Sequence, residues 1–225
     1  MKRIFFLLAI AMLALFSVAC ASNTNNANSS TSATTSNAQQ AAPSSPLTGK
    51  KILVAYFSAT NNTKRVAEEI AQATGADIYR IEAAQSYSAN PYDDTDRIQK
   101  EAYENLRPEV KAPLPASEMA KYDVIFVGSP IWWHQPAMVV CTFLESYDLS
   151  GKTVVPFFTY GARSYLNESM QRIYKSTPNS VHVPASLPKD IEPDNIQQPQ
   201  NDDDGIIMPA DVDNIDTWLK ALQLK

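Results

Sequence analysis

The sequence predicts a doubly wound α/β domain on a five-stranded parallel sheet over residues 50–225, and three observations predict it. Apolar runs at 51–57, 122–128 and 152–158 are continuous rather than alternating, as in strands buried on both faces. Helical patterns lie between the strands. Each run also ends in polar, turn-forming residues, and in open α/β sheets ligands bind beyond the carboxyl ends of strands.

Taken in order, residues 51–57 form the first strand. Val66, Ala67, Ile70 and Ala71 then repeat at helical spacing from about Asn62, and Gly75 stops that helix. Residues 77–81 make a short second strand. Asp93, Asp94 and Asp96 sit at the positive end of a helix whose apolar face is Ile98, Ala102 and Leu106, and Pro108 ends it. Residues 122–128 are the third strand. Pro136 opens the next helix as a first-turn proline, with Met138, Val139, Phe143 and Leu144 on its apolar positions. In the fourth strand, 152–158, Pro156 removes a ladder donor and therefore marks a bulge or a local edge. Residues 180–183 supply the fifth strand, the proline-rich acidic stretch 187–209 reads as a long loop, and Val212, Ile215, Trp218, Leu219 and Leu222 form a closing amphipathic helix.

The chain before this domain has a different composition. Lys2 and Arg3 precede an apolar run from Ile4 to Val18, followed by Ala19, Cys20 and Ala21, the order of an export signal over residues 1–19. The run is short for a membrane-spanning helix, so an uncleaved anchor ranks second. Ordinary cleavage near Ala19 or Ala21 is one reading of its end, but Cys20 also ends the run as in a bacterial lipoprotein signal, which the stretch resembles except for Ser17 where leucine is usual, and the tether that follows favours the latter. Residues 20–49 are then a lipidated cysteine with a polar tether; from Ala21 to Pro46 it has no charge and too little apolar surface to offset chain entropy. These features place the protein outside the cytoplasm, in a bacterial cell envelope, with the membrane as a partner through the lipid. With Cys20 so used, Cys141 has no partner for an intramolecular disulfide.

The domain holds 17 of the 19 basic and all 24 acidic residues, a formal charge of −7, which argues against a nucleic-acid partner. Ser58-Ala-Thr-Asn-Asn-Thr63 follows the first strand. Its three hydroxyls and two carboxamides beside the N–H groups of a helix start form an anion cradle suited to phosphate. A single helix cap would use one of these residues, and no Walker sequence is present. Lys64 and Arg65 read as solvated. Gly128-Ser-Pro-Ile-Trp-Trp-His-Gln-Pro136 follows the third strand and offers tryptophan faces, one of which would stack on a flat ring. Thr159-Tyr-Gly-Ala-Arg163 follows the fourth, where Gly161 lets backbone N–H groups approach a ring edge. His134 and Cys141 do not make a nucleophile and base, since Cys141 lies in an apolar helical pattern, and no Gly-x-Ser-x-Gly elbow exists. Asp202-Asp-Asp-Gly205 is a poor calcium loop without a final glutamate.

These three loops, in this order, resemble the FMN-binding loops of the flavodoxin-like family, in particular members with a Tyr-Phe-Ser-x-Thr phosphate loop and a Pro-Ile-Trp-Trp loop, over about residues 50–173. The resemblance implies strand order 2-1-3-4-5 and FMN as cofactor. It places Ser58, Thr60, Asn61, Asn62 and Thr63 at the phosphate, Pro130, Ile131, Trp132, Trp133 and His134 beside the isoalloxazine, and Thr159, Tyr160 and Gly161 at its other side or pyrimidine edge. Asn61 stands where the family usually has glycine, a place Asn tolerates; His134 also replaces a common glycine, and Ala162 and Arg163 replace a glycine-rich stretch. The leading reading is an electron carrier, monomeric, meeting a redox partner protein with a basic contact surface. An FMN-dependent NAD(P)H reductase of quinones or similar acceptors is the alternative, and a flavin-free surface binding module the third.

Overall fold

Parallel strands β1 (Ile52–Tyr56), β2 (Asp77–Arg80), β3 (Val124–Trp132), β5 (Thr153–Tyr160) and β6 (Val181–His182) pair in the order β2-β1-β3-β5-β6. This is the expected 2-1-3-4-5 order once the short hairpin strand β4 (Gln135–Pro136) is set aside. The computed structural model describes residues 45–161, 165–183, 205–207 and 215–224. The export signal, Cys20 and most of the tether lie outside the described residues, as do Ala162, Arg163 and the acidic run at 202–204.

The sheet is buried on both faces for the reason its continuous runs suggested. Leu53, Ala55, Ile125, Val127, Val154 and Phe158 pack on one side, under α4 (Met138–Glu145) and α5 (Leu166–Ser176). Ile52, Val54, Phe126, Val155 and Phe157 pack on the other, under α1 (Asn62–Thr74) and α6 (Ile215–Ala221), whose Trp218 is fully buried. Each such large apolar side chain contributes about 2 kcal/mol when fully buried.

Local signals decide the ends of elements. Gly75 adopts φ 69° and closes α1 through its N–H to the Ala71 carbonyl. Pro156 sits in a local edge. Val154 accepts from the Val183 N–H on the β6 side. Pro156, two residues on, faces the same side, in the gap between β6 and the antiparallel strand β7 (Gly205–Ile207), which pairs with Phe158 to Tyr160. No described strand pairs with Pro156 on that side, so no ladder donor is missed among the described residues.

Three expectations need correction, and one helix is new. The helix at 93–106 divides into a 3-10 turn (Pro91–Asp94) and α2 (Thr95–Tyr103). Asn105 at φ 53° and a Leu106 N–H to Glu101 carbonyl bond end it, leaving Leu106 exposed. Pro136 belongs to β4 rather than to a helix, because Trp133 and His134 turn the chain back on β3, and α4 starts two residues later. Part of the loop at 187–209 is β7. Finally, α5 was not foreseen, although Leu166, Met170 and Ile173 are all fully buried at helical spacing. A one-turn helix, α3 (Ala116–Met119), precedes β3.

Candidate functional site

The parallel register places all three sequence-derived loops on one rim. Tyr56 pairs with Gly128 and Pro130 with Thr159, so the chains leaving β1, β3 and β5 emerge together at the carboxyl edge of the sheet. The first and third loops also touch directly, through a 2.8 Å hydrogen bond between the buried hydroxyls of Thr63 and Thr159.

Ser58 is 2% exposed, and its hydroxyl has no hydrogen-bond partner among the described residues. A buried orphan hydroxyl costs about 1–3 kcal/mol unless a ligand satisfies it. It lies just before α1, whose first N–H groups have no partner within the helix. Asn61 takes the left-handed conformation (φ 70°, ψ 1°) that glycine would adopt freely, and its carbonyl accepts from Arg65. Its side chain makes no capping bond, and α1 has no acid in its first turn. Thr60 and Asn61 are exposed and Asn62 is half-buried. The loop therefore combines a helix start, an unused buried hydroxyl and a first helical turn free of acids, a donor set suited to phosphate, while Glu82 lies farther along the adjoining cavity.

Of the second loop, Pro130, Ile131 and Trp132 continue β3 and are half-buried, while Trp133 is exposed. Trp132 is committed to an edge-on cluster, with ring centroids 5.2 Å from both Phe57 and Tyr87. Trp133 keeps its ring more exposed, 6.1 Å from Tyr103, so of the two indoles it is the one available to stack on a flat ring. His134 stacks on Tyr165. In the third loop Thr159 is buried, Tyr160 half-buried and Gly161 exposed with open space around it.

Two contributors were missed in the sequence. The Arg80 guanidinium donates to the Ser58 carbonyl at 3.0 Å, bringing a cation under the phosphate-type loop. Tyr87 closes the aromatic cluster. Its hydroxyl donates to Glu101 at 2.6 Å, Arg97 lies 4.0 Å over its ring, and Arg97 also bonds Glu101. Burial, then the Glu101 hydrogen bond, push the Tyr87 phenol far up, so it stays protonated as a donor. Phe57, Ser58, Arg80, Ser86, Tyr87 and Ser88 line a cavity of 240 Å³ beside the loop. A larger open depression of 680 Å³ between α1 and α6 involves no rim residue. The sequence signal for Arg80 was its place at the carboxyl end of the second strand, and for Tyr87 its place in the segment that follows. Cys141 is fully buried in α4, and burial pushes its thiol up, as expected of a packing residue.

A family model described as Flavodoxin matches residues 51–198. Among solved structures, a protein from Bacteroides eggerthii classed as a flavoprotein is 39% identical, with a TM-score of 0.54 over 59% of this chain and 84% of that one. One from Bacteroides uniformis, classed likewise, is 36% identical, with a TM-score of 0.54 over 60% and 86%. A Lactobacillus acidophilus flavoprotein in complex with FMN shares the fold at 23% identity, with a TM-score of 0.50 over 60% and 90%. No curated protein matches the chain.

Proposed function

Because this chain belongs to the flavodoxin family, we propose that it binds FMN at the rim and carries electrons outside the cytoplasm, held at a membrane by lipid on Cys20. The buried, unpartnered Ser58 hydroxyl at the start of α1 is the observation that carries the cofactor reading. Ser58, Thr60, Asn61, Asn62 and Thr63 hold the phosphate, with Arg80 fixing the loop from below through the Ser58 carbonyl. Pro130, Ile131, Trp132, Trp133 and His134 flank the ring, and Thr159, Tyr160 and Gly161 reach its other side or edge. FMN, when bound, supplies reversible one- and two-electron chemistry.

The chain's own part is to orient that group and set its surroundings. The Thr63–Thr159 bond fixes the distance between the phosphate loop and the third loop. The Phe57–Tyr87–Trp132 cluster gives the rim an apolar floor that excludes water. The domain's net negative charge disfavours added electrons and favours a monomer that meets a basic partner. The export signal, the cysteine that ends it and the uncharged tether support the location.

The reading is tested with the full chain in detergent by titrating FMN and following quenching of its fluorescence. Micromolar or tighter binding is expected, and no binding below about 1 mM would remove it. Thr60→Ala and Thr63→Ala should weaken FMN far more than riboflavin, whereas equal losses would contradict their phosphate role. Oxidation of NAD(P)H with a quinone acceptor would replace the carrier by the reductase. Cys20→Ser should release the protein from the membrane fraction.

A further inference from the structure

We propose that His134 is a positioning residue of the flavin site, a clasp that ties the second rim loop to the helix following the third; this role rests on the FMN reading above. Trp133 and His134 form the two-residue turn between β3 and β4, with φ of 47° and 67°. Side chains of this size seldom occupy that region, so surrounding contacts must hold the turn.

The contacts on His134 and Gln135 come from α5 and the residue before it, while Trp133 faces Tyr103 of α2. The His134 imidazole lies face to face on Tyr165, with centroids 3.6 Å apart and planes 10° apart. Its carbonyl accepts from the Ser169 hydroxyl at 3.3 Å, and Gln135 accepts from Arg172 at 2.8 Å. Tyr165 follows closely on the third loop, so the clasp helps fix the separation of the two loops proposed to flank the ring.

The test measures binding of riboflavin and FMN to the full chain by fluorescence quenching, with the visible circular dichroism of the bound flavin as a second readout. His134→Ala should weaken both flavins about threefold to tenfold and change the dichroism, while His134→Phe, which keeps a ring on Tyr165, should restore both. Tyr165→Ala should reproduce the loss, and the double variant should be no weaker than either single one. Wild-type affinity and dichroism in His134→Ala, or a His134→Phe as weak as His134→Ala, would overturn the proposal. Absence of binding of either flavin to the wild type would overturn the FMN reading and this role with it.

Discussion

At Ser58 burial and bonding disagree: the side chain is almost wholly enclosed, yet its hydroxyl bonds nothing. A group in that condition lowers the stability of the flavin-free protein and raises its affinity for whatever satisfies it. Ser58→Ala should therefore leave flavin-free stability unchanged, or raise it by up to about 1 kcal/mol in a denaturant titration, while FMN binding weakens about tenfold. Lower stability with undiminished FMN affinity would show that the hydroxyl is structural. Asn61 illustrates what residue type alone conveys. Its departure from glycine is visible in the sequence, and its left-handed backbone confirms that the loop needs a residue tolerant of positive φ.

At the level of elements, β3 shows why a central strand contains a glycine. Gly128 pairs with Phe157 across the ladder, and a Cβ added there would fall within the Phe157 ring. Gly128→Ala should cost about 1–3 kcal/mol, measured by urea unfolding, through overpacking rather than through backbone freedom. A second link joins α4 to its neighbours. Arg107, beyond α2, donates to both oxygens of Glu145 at 2.6 and 2.9 Å, and Ser176 of α5 donates to the same carboxylate. Burial pushes the Glu145 carboxyl up, but the bonds from Arg107 and Ser176 outweigh it and hold the group below the usual range. With the folded value depressed, the stabilisation is complete above the unfolded carboxyl pKa and is lost as pH falls through the folded one. Glu145→Gln should flatten that acid limb of the stability profile and cost about 1 kcal/mol at neutral pH, a modest figure because the pair is partly screened by water. An unchanged acid limb would assign the loss to other carboxylates.

For the molecule as a whole, the end of the tether packs on the domain, with Leu47 against the Ile52–Val54–Trp218 cluster and the Ser45 hydroxyl donating to the Leu224 carbonyl. Removing residues 1–49 should therefore destabilise the domain by about 1–2 kcal/mol in urea unfolding, and unchanged stability would show these contacts to be neutral. The apolar pattern made most of this architecture legible. Continuous runs specified parallel strands, and the rule that ligands gather at strand carboxyl ends specified which polar segments share a rim. The helix α5 escaped because its three buried positions are diluted by polar neighbours, and Pro136 misled because a first-turn proline and a short edge-strand proline have the same local signature. What the sequence by itself determined was therefore the order of strands, helices and loops, each encoded within a few neighbouring residues. Only the tertiary structure decided that Thr63 meets Thr159, that Arg80 supports Ser58, that Trp132 joins an aromatic cluster while Trp133 stays more exposed, and that His134 rests on Tyr165. Those contacts join residues far apart along the chain, and packing of the whole sheet brings them within reach.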